Sequence, residues 1–297
     1  MNIQWYPGHM TKARRAMKED IKLIDLIIEL VDARVPVSSR NPDIDELGRQ
    51  KARLVLLNKA DLAGEGANDA WIRWFRDQGV QAVKLDSRSR AGLKQIQAAV
   101  QEACKEKIER DKKRGILNRP VRAMVVGIPN VGKSTFINSY AGKACARTGN
   151  KPGVTKGNQW IRLNKSLELL DTPGILWPRF ESQEVGLHLA LIGSINDQIL
   201  DRQQLGAELI CLLEERYPLA LAQRYGDIGT GGHSAQGGAL EEAAGILEEI
   251  ARARGCLMKG GQCDLKKAAD LLLDDFRSGR LGRITLEFPP DEENADG

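Results

Sequence analysis

Residues 127–134 read Gly-Ile-Pro-Asn-Val-Gly-Lys-Ser and fit G-x-x-x-x-G-K-[ST]. An apolar run with strand character precedes them and a helical pattern follows, which is the setting a phosphate-binding loop needs. Gly127 and Gly132 let the backbone curl so that its N–H groups can face phosphate oxygens. Lys133 would place a point charge on the β- and γ-phosphates, and the Ser134 hydroxyl can ligate Mg²⁺. Asp-Thr-Pro-Gly at 171–174 ends another apolar strand, 38 residues after Lys133. Asp171 is then expected to hold Mg²⁺ through a water, and Gly174 to sense the γ-phosphate. Thr155, in the polar stretch 147–159 between them, completes the expected metal set with Ser134 and Asp171. It can coordinate Mg²⁺ only when the γ-phosphate is present, so that stretch should order with the triphosphate.

A third motif, Asn58-Lys59-Ala60-Asp61, closes the run "LVLLNKAD". Asp61 can accept hydrogen bonds from N1 and the exocyclic amine of guanine, a donor pair that adenine lacks. Asn58 can reach the other edge of the base, and the Lys59 stem can lie along its ring. In "DSRS" (86–89), Asp86 and Ser87 follow the next strand, where a loop commonly offers backbone N–H groups to the guanine oxygen; Arg88 stands where alanine is commoner. The expected nucleotide contacts are therefore Asn58, Lys59, Ala60 and Asp61, then Asp86 and Ser87, then Asn130, Val131, Gly132, Lys133, Ser134 and Thr135, and finally Gly174.

The order of these motifs is unusual, because the base-reading elements precede the phosphate loop by about seventy residues. A permuted chain is physically reasonable: a sheet needs its strands in place and tolerates termini moved to surface loops. The segment after Gly174 then leads into whatever follows the nucleotide domain.

The elements that must position these residues read as an alternation. Residues 10–24 have helical spacing, with Met10, Ala13, Met17 and Ile21 recurring. "LIIELVDAR", "ARLVLLNKAD" and "VQAVKLDS" read as strands, with a helix over "NDAWIRWFRDQG" and a long one from Gly92 to about Arg114. "WIRLNKSLELLDTPG" reads as two short strands joined at Asn164–Lys165. This predicts a mostly parallel sheet with helices on both faces. From about residue 183 the pattern is helical, interrupted by "GDIGTGGHSAQGG". The expected organisation is a nucleotide domain over 1–178, a helical module over 179–288, and an acidic tail over 289–297 that is expected to be disordered.

Composition excludes several classes. The chain has 297 residues, 28% charged and 42% hydrophobic, as in ordinary globular proteins. A net charge of +4 and a pI near 8.7 permit nucleic-acid contact without arguing for it. The five scattered cysteines lack a C-x-x-C pair and read as reduced thiols. No signal-type h-region or membrane-length apolar run occurs, which predicts a soluble cytoplasmic protein.

"WYPGHM", NKAD ahead of GIPNVGKS, then KPGVTKG, LLDTPG and "DFRSGRLGRITLE" together resemble a circularly permuted GTPase of the ribosome biogenesis GTPase A family. The resemblance covers essentially the whole chain. It implies a GTPase that binds the maturing large ribosomal subunit late in assembly, with rRNA contacts from the C-terminal helices and the basic N-terminal segments. It also implies slow intrinsic hydrolysis that the particle accelerates. Many GTPases carry a glutamine after the D-x-x-G glycine to orient water, but here that residue is Ile175. The resemblance points instead to His9 as a catalytic residue beside Lys133, and it suggests Asn130 as a K⁺ ligand.

In the helical module, "RARGCLMKGGQ" and "FRSGRLGR" suit phosphate contact, and helix capping explains the same residues equally well. Sparse aromatics (5%) argue for recognition by shape and phosphates over base stacking. Two other readings stand beside the resemblance. One is an RNA-binding scaffold with nucleotide as a structural ligand. The other is the permuted GTPase type that acts on the small subunit, whose N-terminal OB barrel and C-terminal Cys/His zinc site have no counterpart pattern here.

Overall fold

The computed structural model describes residues 15, 17–116, 119–146, 159–174, 176–177, 180, 182–226, 228 and 238–290. His9, Thr155 and Ile175 lie outside the described residues, as do residues 291–297 of the acidic tail and nearly all of the Gly-rich stretch. The described residues fall into two compact units, one built from 15–180 with 287–290, the other from Ser182–Leu286.

The first unit is organised by a six-stranded sheet. Its strands are β1 (Leu26–Asp32), β2 (Ala52–Asn58), β3 (Gln81–Leu85), β4 (Val121–Val126), β5 (Gln159–Arg162) and β6 (Leu167–Asp171). They lie in the spatial order β3-β2-β1-β4-β6-β5. All neighbours pair in parallel except β5, which runs antiparallel to β6 at the edge. Successive side chains of a strand point to opposite faces, and all seven residues of β1 are buried, so the centre of the sheet is covered on both faces. The helices are α1 (Pro42–Leu47), α2 (Glu65–Asp77), α3 (Leu93–Ala103), α4 (Lys105–Lys113) and α5 (Lys133–Ala141). Trp71 and Phe75 of α2 pack with Val31, Val55 and Leu57 of the central strands. The helix expected from Gly92 to Arg114 is divided at Cys104, whose backbone leaves helical geometry (φ −102°, ψ 11°). The thiol is buried there, and the bend carries Lys107 of α4 to Asp25 (3.3 Å) at the start of β1.

Parallel strands present their carboxyl ends together, so β1, β2, β3, β4 and β6 deliver their following loops to one edge of the sheet. The described nucleotide-site motifs, NKAD, DSRS, GIPNVGKS and DTPG, all lie at the strand ends and loops of this edge. The last described residues join this unit too. Glu287 accepts hydrogen bonds from Val37 N (2.7 Å) and Ser38 N (3.0 Å), and its carbonyl accepts one from Trp71 Nε1 (3.0 Å).

The second unit is helical: α6 (Gln183–Leu191), α7 (Arg202–Arg216), α8 (Ala220–Tyr225), α9 (Ala239–Ala253) and α10 (Leu265–Ser278). Leu209, Ile210 and Leu213 of α7, Ile246 and Ile250 of α9, and Leu272 and Phe276 of α10 are all buried. Gly206 permits close helix packing, since a Cβ there would stand 3.0 Å from Ala269 Cβ. Much of the basic charge read as suited to phosphate serves this fold instead. Arg277 donates to the carbonyls of Ala190 and Leu191 at the end of α6 (both 2.8 Å), a C-terminal cap. Arg280 and Arg224 hold the buried carboxylate of Asp275, and Arg254 donates to the Arg224 carbonyl. No described helix is long and apolar enough to cross a membrane.

Candidate functional site

The base-reading loop begins where β2 ends. Asn58 is 2% exposed, and both ends of its amide are engaged. Nδ2 donates to Val131 O in the phosphate loop (2.7 Å), while Oδ1 accepts from Ser87 Oγ (2.8 Å) and Ser87 N (3.2 Å). One side chain thus ties together three loops that lie far apart in the sequence. Gly132 is required beneath it, because a Cβ there would collide with Asn58 Nδ2. In this arrangement Asn58 bridges the loops, and the Ser87 N–H is directed to Asn58 Oδ1. The next N–H along, that of Arg88, donates to Asp86 Oδ1 (2.8 Å).

Lys59 adopts a left-handed backbone conformation (φ 58°), which turns the chain sharply after the strand. Its ammonium meets Asp32 Oδ2 at 2.9 Å. Asp32 is fully buried and also takes both Nε (2.9 Å) and an Nη (2.8 Å) of Arg34. Burial opposes its ionisation, but the two cations and their hydrogen bonds prevail and hold the carboxyl well below its usual range. The Lys59 stem is thereby fixed where it can lie against a purine ring. Sequence reading missed Asp32 and Arg34, although two opposite charges closing the apolar run "LIIELV" were a signal of a buried pair.

Asp61 stands exposed beyond Ala60, on the 3₁₀ turn Ala60–Leu62. Its carboxyl is raised above the ordinary value by partial desolvation and by the neighbouring charge of Asp86. Two hydrogen bonds from a guanine edge would relieve that cost.

At the phosphate end, the loop between β4 and α5 turns through Gly127 (φ 153°), Asn130 (φ 59°) and Gly132 (φ 102°). A Cβ on Gly127 would lie 2.6 Å from Leu30 O, so the loop can follow this path only with glycine. Val131 is buried; Ser134 and Thr135 sit half-buried in the first turn of α5, whose N-terminus favours anions. Lys133 Nζ is held by the carbonyls of Gly127 (2.8 Å) and Ile128 (2.9 Å). Burial lowers its pKa to about 8, against the pull of Asp171. A phosphate group would raise it again and fix the charge.

Asp171 ends β6 and is 2% exposed, and its buried Oδ1 has no hydrogen-bond partner among the described residues. Burial pushes its pKa up to about 6, although Lys133 and the Thr172 amide act in the other direction. A buried carboxylate oxygen of this kind is chemically suited to a hard divalent cation or a water bound to one. Thr172 is pinned by its own hydroxyl to Val125 O (2.7 Å). Gly174 lies flat on the loop, where an added Cβ would stand 2.9 Å from Lys133 Nζ and from Pro129 Cα. The residue expected to sense the γ-phosphate therefore leaves no room for a side chain beside the lysine expected to bind it.

Those of the residues expected to read the base, bind phosphate and hold a metal that the structure describes lie at one edge of the sheet, on an α/β P-loop GTPase fold. A family model described as "50S ribosome-binding GTPase" matches residues 122–215, beginning at the phosphate-loop strand, so that the base-reading half lies upstream of it. Ribosome biogenesis GTPase A of Bacillus cereus is 47% identical over 97% of this chain and 95% of its own. The protein of that name from Bacillus licheniformis is 46% identical over 98% of this chain and 100% of its own. Among solved structures, GNP-bound YlqF from T. maritima superposes with a TM-score of 0.63 at 28% identity, covering 94% of this chain and 99% of that one. The chain belongs to the ribosome biogenesis GTPase A family and is a GTPase.

Proposed function

We propose that this GTPase acts in the cytoplasm on the maturing large ribosomal subunit, late in assembly, and that its nucleotide state sets its hold on the particle. The names of its relatives and the ribosome-binding description of the family that matches residues 122–215 support the ribosomal target. The observation that carries the nucleotide switch is the approach of Gly174 to Lys133 and Pro129. A γ-phosphate must reach Lys133 Nζ, so Gly174 has to accommodate it. Eight residues further on the chain enters the helical unit at Ser182, giving a covalent route from switch to helices.

Ser134, Thr155 and Asp171 are assigned to Mg²⁺, with Asp171 acting through a water. Bound there, the ion would neutralise phosphate charge as the β–γ bond breaks. Lys133 supports the same oxygens. Asp61, Lys59 and the backbone of Ala60 receive the base, with Asp86 beside them. His9 is assigned to orient the attacking water, since Ile175 offers no hydrogen bond.

Hydrolysis measured with and without purified large subunits tests this reading. Turnover is expected to rise by about 10²–10⁴-fold with the particle, the size of one general acid–base contribution. His9→Ala should keep its GTP affinity and lose that stimulation; full stimulation in the variant would remove His9 from the mechanism. Asn130, at the left-handed bend of the loop, is assigned to K⁺, which would add positive charge to the transition state. Hydrolysis should then run faster in potassium than in sodium buffer, and equal rates would strike out that ligand.

A further inference from the structure

We propose that the GTPase unit carries a second surface, centred on Trp160, that stacks an unpaired base of single-stranded RNA and holds the adjoining phosphates. It rests on the ribosomal reading only for where such RNA would be met. Trp71 and Trp177 are buried, and Trp74 of α2 packs against the core cluster around Trp71 and Phe75. Trp160 is instead 42% exposed on β5, the edge strand of the sheet. Beside it stands a second exposed apolar residue, Leu23, so that part of the indole face is open to a partner.

The register defines the surroundings. Arg162 pairs with Glu168 across β5 and β6, and Glu168 with Arg122 across β6 and β4. Side chains two apart on a strand share a face, so Trp160, Arg162, Glu168 and Arg122 stand together. The Arg122 guanidinium lies 5.4 Å from the centre of the Trp160 ring and 3.3 Å from Glu168. Arg119 is brought alongside by Asp25, which it meets at 3.8 Å and which also accepts from Arg122 N (3.0 Å). Asp25 already carries Lys107 (3.3 Å), so the surface keeps a positive excess.

These are the parts of a single-strand platform. The indole offers a π face to any base, one arginine offers a second planar face, and the cations track phosphates without reading sequence. A polyanion with splayed bases satisfies both the ring and the charges, whereas an acidic peptide would satisfy only the charges. The surface also accounts for RNA contact by a protein whose helical unit uses Arg277, Arg280 and Arg254 internally.

The test is fluorescence anisotropy of a labelled twelve-nucleotide oligoadenylate with the full chain at low salt. Trp160→Ala should weaken binding about ten-fold, as loss of one stacked base does, and Trp160→Phe should restore most of it. Arg122→Gln should weaken binding and lower the salt dependence by about one phosphate contact. GTP affinity should be unchanged in all three, which certifies the fold. Equal oligoadenylate affinity in wild type, Trp160→Ala and Arg122→Gln would overturn the proposal, as would a wild type that fails to bind. Trp160→Ala weakening only the hold on intact large subunits would assign the surface to a ribosomal protein, and would overturn it as well. Failure here with GTP-dependent subunit binding intact leaves the proposed function standing; the reverse pattern removes that function and keeps this surface.

Discussion

Asp61→Asn should exchange guanine for xanthine nucleotides. Asp61 is the carboxylate assigned here to accept from both guanine N1 and the exocyclic amine. Each hydrogen bond to a charged group contributes about 1.5–3 kcal/mol, so losing both would lower GTP affinity by roughly 10²–10⁴-fold. Xanthine carries a carbonyl where guanine has its amine. The asparagine amide can donate to that carbonyl while its oxygen still accepts from N1. The exchange should be gentle on the fold, because Asp61 is exposed and its charge is opposed by Asp86. Competition binding with GTP and XTP measures the inversion directly. A variant that still prefers GTP would show that the base is read elsewhere.

The second large effect belongs to Asn58, although it is expected to touch nucleotide less than Asp61 does. Its amide links Val131 O and Ser87, so Asn58→Ala leaves a buried carbonyl and a buried N–H without their partner. At about 1–3 kcal/mol for each orphaned group, the variant should lose roughly 2–5 kcal/mol of stability. For a chain of this size that corresponds to a fall in Tm of about 5–15 °C. GTP affinity should fall by more than about 100-fold, since the base-reading and phosphate loops lose their common strut. Asn58→Asp is the sharper comparison. It keeps an acceptor for Ser87 but sets a carboxylate oxygen against Val131 O, and should be at least as damaging. Wild-type affinity in either variant would mean that the two halves are registered by the sheet alone.

How much of this was legible beforehand follows from where the information sits. The strands were readable because β1, β2 and β4 are buried apolar runs, and the phosphate loop because its glycines are forced by backbone geometry at Gly127 and Gly132. The antiparallel edge hairpin was readable from the turn at Asn164, whose side chain accepts from Ser166 N and Oγ (both 2.8 Å). The strut role of Asn58 was not readable, because it depends on Val131 and Ser87 arriving from loops far away in the chain. The Asp32–Arg34–Lys59 cluster was hidden for the same reason, as was the return of Glu287 to the loop after β1. Helix α8 and the break at Cys104 escaped because local packing, not periodicity, determines them. Low aromatic content argued against base stacking, yet a single exposed tryptophan at a sheet edge suffices to offer a platform, and composition cannot say which tryptophan is exposed.

In the proposed function the γ-phosphate sets the affinity of this GTPase for the large ribosomal subunit. Co-sedimentation of the full chain with purified large subunits, under a non-hydrolysable GTP analogue, under GDP and without nucleotide, tests it most directly. Near-stoichiometric recovery with the analogue, and at least ten-fold weaker binding in the other two conditions, is the predicted result; that ratio corresponds to about 1.4 kcal/mol of coupling. Equal recovery in all three conditions, or recovery with small subunits instead, would contradict it.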